Sequence, residues 1–197
     1  MSDKQNGPWT VHMTEVGFEN PWIRVEASDV THPDGSPGTY GVVRFANIAC
    51  GVLPIDETGK TWLVGQHRFA LDSYSWELPE GGGALEGDPQ ASARRELEEE
   101  TGLKAAHFRA LGKWHLSNSV TDEVAYGFLA WGLSAGQMQP DASEALAIKR
   151  VPFAQLVAMV RSGEISDAFT HLMVMSALDM ARRGDAPPEL AGHLLVD

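Results

Sequence analysis

Residues Gly81 to Leu103 read GGGALEGDPQASARRELEEETGL. A glycine run leads into Asp88-Pro89, and that pair opens a helix: aspartate caps free backbone N–H groups, and proline is favoured at the first helical position. Gly102 ends the helix, because glycine takes the left-handed conformation that closes one. At 100° per residue, Glu96, Glu99 and Glu100 fall within an arc of about 100°, so three carboxylates share one face. Glu98 points the other way, beside the solvent side. Ala93 and Leu97 mark a buried stripe that Arg94 and Arg95 keep narrow.

All four glutamates lie in the last turns, where the helix dipole is negative and cations are preferred. Like charges three and four residues apart also repel. A glutamate-rich helix is often no more than a solvated face. Here, however, the carboxylates follow a glycine-rich loop and crowd the unfavourable end. A hard cation, Mg²⁺ or Mn²⁺, prefers such oxygen ligands and offsets the repulsion, so metal binding accounts better for the pattern.

Outward from this helix, strand patterns precede it at 40–53, 61–68 and 74–78, with a turn at Asp56-Glu57-Thr58-Gly59. Strands follow at 107–116, 123–132 and 145–151, then helices at 153–162 and about 166–183. Near the N-terminus, Trp9–Met13 and Trp22–Glu26 read as strands around an Asn20-Pro21 turn. Residues 29–39 hold Asp, Gly and Pro at loop density. The division is an N-terminal β appendage at 1–39, a main domain at 40–184 and a C-terminal tail at 185–197. Strands interrupted by helices in this mixed order indicate an α+β or α/β/α fold, a mixed β-sheet flanked by helices.

A chain of 197 residues suits one domain with a small appendage. Its 27 acidic against 15 basic residues, a net charge of −12, make it a poor general binder of nucleic acid. A small anionic substrate is compatible with that charge if a divalent cation supplies local positive charge. Cys50 is the only cysteine and follows an apolar run, so intrachain disulfides, Cys-based zinc clusters and CxxC redox pairs are excluded. His115 and His171 have no partner at ligand spacing. Met1 to Thr10 lacks the apolar stretch of a signal peptide, and no window approaches the ~20 apolar residues of a membrane span. The expectation is a cytoplasmic protein with no membrane partner.

The stretch Gly81–Leu103 resembles the Nudix box, G-x5-E-x7-R-E-U-x-E-E-x-G-U with U aliphatic. Gly81, Arg95, Glu96, Leu97, Glu99, Glu100, Gly102 and Leu103 fall on the pattern. The first glutamate of the pattern does not: residue 87 is Gly87, and Glu86 lies one place earlier. Ser75-Trp76-Glu77-Leu78-Pro79-Glu80-Gly81 and Gly163-Glu164-Ile165-Ser166-Asp167-Ala168 are similar to segments of ADP-ribose pyrophosphatase-like members. The N-terminal strands fit that subgroup too, whose members use them to build homodimers with shared active sites.

The resemblance implies an α/β/α Nudix-type sandwich and assigns roles residue by residue. Metal ligands are Glu96, Glu99 and Glu100, with the backbone carbonyl at Glu80. Arg95 orients the box carboxylates, Arg68 contacts the substrate's diphosphate, and Trp22 stacks on the base. The general base is Glu144, counted back from Val151-Pro152-Phe153 in the loop Gln137–Ala147. Glu123, beside Asp122, is its rival, and Glu99 a further candidate where metal does not fully engage it. The implied activity is Mg²⁺-dependent hydrolysis of a nucleoside diphosphate sugar, ADP-ribose first. ADP-ribose members carry a proline about sixteen residues beyond the box, whereas Leu116 to Glu123 has none, which leaves GDP-mannose or a dinucleoside polyphosphate open. A non-catalytic ligand sensor is the reading from another class, with Gly87 as its only support. Retention of Glu96, Glu99 and Glu100 together argues against it.

Overall fold

The structure, a computed structural model, describes residues 3–139 and 145–196. Four antiparallel strands, β1 (Lys4–Asn6), β2 (Trp9–Glu19), β3 (Ile23–Thr31) and β4 (Pro37–Phe45), form an N-terminal sheet in that order. Asn20 sets the β2–β3 turn: its Oδ1 accepts from the N–H groups of Trp22 (2.9 Å) and Ile23 (2.8 Å), the local bonding that suits Asn to turns. The loop expected over 29–39 contracts to residues 32–36. Val30 and Thr31, both β-branched, continue the ladder opposite Gly38 and Pro37, while Asp34 closes the turn by accepting from Ser36 N–H (2.9 Å). The sheet is fastened to the rest of the chain through β4. Val43 N–H donates to Val120 O (2.8 Å), Tyr40 Oη to Ser119 O (2.6 Å), and Phe45 N–H to Asp122 Oδ1 (2.9 Å).

Two further sheets make the main body. The first combines β5 (Asn47–Pro54), β8 (Glu80–Ala84), β9 (Leu103–His115) and β10 (Val124–Ala135) in the order β8-β5-β10-β9, with β10 parallel to β5 and the other pairs antiparallel. The second, antiparallel, has the order β11-β6-β7 from β6 (Lys60–Arg68), β7 (Ser73–Glu77) and β11 (Ala147–Pro152). The glycine run, expected as a loop, is strand β8: Gly81, Gly82 and Gly83 pair with Cys50, Ala49 and Ile48.

Strand β5 divides the core by its two-residue period. Ile48, Cys50 and Val52 pack with Ala93 and Leu97 of helix α1 (Pro89–Thr101). Leu53 faces a larger core with Phe153 and Leu156 of α2 (Phe153–Ser162) and Met173 and Leu178 of α3 (Ala168–Arg182). Helices thus cover both faces of a mixed sheet. Gly51 and Gly127 stand side by side on β5 and β10, and a Cβ on either would come 2.7 Å from Met173, so this pair lets α3 sit close to the sheet. Cys50 is fully buried; burial and then the nearby Glu96 charge push its thiol up to about 11. The expected C-terminal tail contains a short helix, α4 (Ala191–Leu194), and its Leu190 and Leu194 are buried in the larger core. Among the described residues, no helix is long and apolar enough to cross a membrane.

Candidate active site

Helix α1 is capped as its sequence demands. Asp88 Oδ1 accepts from Gln90 N–H (2.9 Å), and Gly102, at φ 68°, donates its N–H to Glu98 O (2.8 Å). The four glutamates then separate by environment: Glu96 and Glu100 are buried, Glu98 and Glu99 half-buried. Arg95 bridges three groups, reaching Glu96 Oε1 (2.7 Å), Glu99 Oε2 (2.6 Å) and Gly82 O (2.7 Å). Glu100 Oε2 accepts from the backbone N–H of Glu80 (3.0 Å). The close approach of α1 to β8 requires the missing side chain at Gly81, where a Cβ would run into the Glu96 carboxyl.

A second group of charges sits beside this one. Arg68, at the end of β6, donates from Nε to Glu77 Oε1 (3.0 Å) and Oε2 (3.1 Å), pairs through Nη2 with Glu77, and reaches Glu80 Oε1 (3.2 Å). Asp167 caps α3, accepting from Thr170 N–H (2.6 Å). Thr170 Oγ1 accepts from Leu78 N–H (3.0 Å), which fastens the start of α3 to the β7–β8 connection. Carboxylate oxygens of Glu77, Glu80 and Asp167 lie within 4.8 Å of one another. Burial, then the charges of Asp167 and Glu77, push the Glu80 carboxyl well above the usual range. Burial also opposes the charge on Glu77, but the Arg68 hydrogen bonds and charge outweigh it and hold that carboxyl below its ordinary value. Glu80 Oε2 is buried with no hydrogen-bond partner among the described residues.

Arg68, Glu80, Gly81 and Glu123 line a common cavity of about 170 Å³. Burial, and then the Asp167 charge, raise the Glu123 carboxyl. Trp22 lies apart, 65% exposed in the β2–β3 turn. Its carbonyl accepts from Ala46 N–H (2.8 Å), between two residues, Phe45 and Asn47, that line the cavity. Glu144 lies outside the described residues. At the position where the box pattern has its first glutamate, Gly87 donates its N–H to Ala84 O (3.0 Å), and a Cβ would come 3.2 Å from that oxygen; Glu86 is exposed in the same turn.

Two members of the site had no role in the sequence reading. Glu77 ends the strand SYSWE in an inward position that a half-buried strand normally gives to an apolar residue; besides its place in the Ser75–Gly81 segment of resemblance, that misfit was its signal. Asp167 was named only within the Gly163–Ala168 segment of resemblance; its capping spacing, three residues before Thr170, is the signal that could have found it. The donor set as a whole is hard oxygen: three carboxylates of α1, the Glu80 peptide beside Glu100, and an orphaned Glu80 oxygen within an excess of negative charge. It fits a divalent cation of the Mg²⁺ or Mn²⁺ kind.

Comparison with known proteins identifies the family. Residues 46–171 match the NUDIX domain, and residues 9–43 match the nucleoside diphosphate sugar hydrolase N-terminal domain. The ADP-ribose pyrophosphatase of Bacillus subtilis is 30% identical over 155 residues, covering 78% of this chain and 83% of that protein. The CMP-5'-(N-acetyl-N-hydroxy-3-aminopropyl)phosphonate hydrolase of Streptomyces rubellomurinus is 26% identical over 179 residues, 91% of this chain and 86% of that one. A crystal structure of an ADP compounds hydrolase superposes with a TM-score of 0.81 at 19% identity, over 93% of this chain and 100% of the other. The chain belongs to the Nudix family and is a pyrophosphohydrolase acting on phosphoric anhydrides, with the N-terminal domain of the nucleoside diphosphate sugar hydrolases.

Proposed function

We propose that the protein hydrolyses the diphosphate linkage of a nucleoside diphosphate sugar, ADP-ribose first, in a Mg²⁺-dependent reaction. Water adds across the P–O–P bridge, and a nucleoside monophosphate and a sugar phosphate leave. The observation that carries this reading is the packing of α1 on β8: Glu100 bonds the Glu80 peptide, Glu96 lies against Gly81, and Arg95 ties Glu96 and Glu99 to Gly82 O. These four hold the cation, the last through its backbone carbonyl. When bound, the cation neutralises phosphate charge and lowers the pKa of an attacking water. Arg95 holds Glu96 and Glu99 in place. Arg68, beside Glu80 in the same cavity, meets the diphosphate, kept charged and oriented by Glu77. Glu144 is the general base, since carboxylates committed to metal are poor bases. Glu123 is the alternative, because it lines the cavity and burial raises its proton affinity.

The N-terminal strands form the dimerisation unit. Beyond Val11, β2 pairs only with β3 among the described residues, so its other edge is open. Met13, Val16 and Phe18 on this strand are exposed. An open edge with exposed apolar side chains favours pairing with a second copy, and Trp22 at its end is then available for the base. The missing proline at 116–123 and the cytidine compound in the name of the Streptomyces relative favour a wider choice of base, GDP-mannose included.

The deciding experiment incubates the protein with a panel of ADP-, GDP-, CDP- and UDP-sugars and Mg²⁺ and identifies the products. Cleavage at the diphosphate that stops with chelator and returns with Mg²⁺ is expected; full turnover in excess chelator defeats the proposal. Glu144→Gln should lower kcat by ~10²–10⁴-fold, and a near-normal kcat moves the role to Glu123.

A further inference from the structure

Glu98 occupies the variable position among the box glutamates and was expected to face solvent. In the structure its Oε1 does two things at once: it pairs with Lys104 Nζ (3.1 Å) and accepts the backbone N–H of Gln137 (3.2 Å). Gln137 belongs to the segment that follows β10, and that segment is bonded along the whole last turn of α1. Gly136 N–H donates to Gly102 O (2.7 Å), and Gln139 N–H to Glu99 O (2.9 Å). The latter satisfies one of the carbonyls that a helix end leaves without a partner. A Cβ at Gly136 would come 2.8 Å from Glu98 Oε1 and 3.1 Å from Lys104 Cγ, so the segment approaches Glu98 as closely as a backbone without a side chain allows.

Between this segment and α1 lies an open groove of about 470 Å³. One wall is Gln137 and Gln139; the other includes Arg94, Arg95 and Glu99. Arg95 and Glu99 are bonded to each other, and Arg95 also to Glu96, so the groove borders the carboxylates of α1. Apart from Ala91 its lining among the described residues is amide, carboxylate and guanidinium, with no aromatic ring, which suits a hydroxyl-bearing sugar and not a stacked base.

We infer that Glu98 is a positioning residue: by clamping Gly136–Gln139 to the end of α1, it shapes the groove that receives the sugar half of the substrate. The inference rests on the nucleoside diphosphate sugar reading above. Two measurements on the full chain separate them. The first is backbone amide hydrogen exchange at Gln137 and Gln139 in the wild type, Glu98→Ala and Glu98→Gln. The second is steady-state kinetics of the same proteins with ADP-ribose and Mg²⁺, each with a melting curve.

Loss of the acceptor in Glu98→Ala should speed exchange at Gln137 and raise KM by about tenfold, the scale of one hydrogen bond to a charged group. kcat and Tm should change little, because an exposed ion pair contributes little to stability. Glu98→Gln retains a carbonyl acceptor and should restore both exchange and KM. Unchanged exchange in Glu98→Ala overturns the clamp, as does an equal KM shift in both variants, which would make charge the cause. A fall in Tm and kcat at constant KM overturns the positioning role in favour of a structural one. If the wild type cleaves no nucleoside diphosphate sugar, the substrate reading and the groove's role fall, while exchange still decides the clamp.

Discussion

Glu100 connects two elements through one oxygen, the acceptor for the Glu80 N–H. Glu100→Gln keeps an acceptor there but removes the charge that the proposed cation site requires. Activity should fall at least ~100-fold with Tm nearly unchanged, since charge stabilisation by metal is worth several kcal/mol to the reaction; an active variant would remove Glu100 from the metal set. Asp56 is a residue of the opposite kind, far from the chemistry and decisive for stability. Its buried carboxylate accepts from Thr58 N–H (2.8 Å), Thr58 Oγ1 (2.8 Å), Lys60 N–H (3.0 Å) and Arg150 Nε (3.0 Å). Burial raises its pKa, but these bonds outweigh burial and hold it at about 2. The folded value lies below the unfolded one of ~3.9, so the contribution is complete above that pH and is lost as the pH falls towards 2. Asp56→Ala should therefore cost about 2 kcal/mol at neutral pH from the donors left unpaired. The gap from wild type should narrow in acid, as urea melts at pH 7 and pH 3 will show; a gap independent of pH would contradict this account.

At the scale of elements, α1 was fully legible. Asp88, Pro89 and Gly102 act through their own backbones and side chains, so their neighbours in the chain suffice to place the ends. The carboxylate face follows from the helical period alone. Strand β8 was not legible, because a strand of glycines has no side-chain alternation to read and is defined only by its ladder to β5. Glu77 and Asp167 reach the site from β7 and α3, and no local pattern connects them. The turn at 32–36 and helix α4 were missed for the same reason: partners elsewhere decide them, Gly38 and Pro37 across the ladder in one case and the larger core in the other. Gly102 offers the test of the helix end. At φ 68° a side chain is strained, and a Cβ would also come 3.3 Å from Met138. Gly102→Ala should lower stability by about 1–2 kcal/mol, measurable by thermal melting; an unchanged Tm would mean the end of α1 adapts freely.

At the scale of the whole molecule, the proposed C₂ dimer predicts twice the chain mass by light scattering at micromolar concentration. Phe18→Asp, on the open edge of β2, should shift the population towards monomer and reduce turnover with it if Trp22 has its proposed role beside that interface. A wild type that scatters as a monomer would refute the assembly.

Cys50 lies where α1, β5 and β8 meet, and its burial has a kinetic meaning. A thiol with a pKa of about 11 and no surface reacts with a disulfide reagent only in moments when α1 lifts from the sheet, since the thiolate is the reacting form and access is required. The rate of labelling is therefore a clock for that opening. At the proposed site, a Mg²⁺ ion that joins α1 to β8 should slow the clock in proportion to the fraction of sites filled, and the lone cysteine would then report metal occupancy without any turnover.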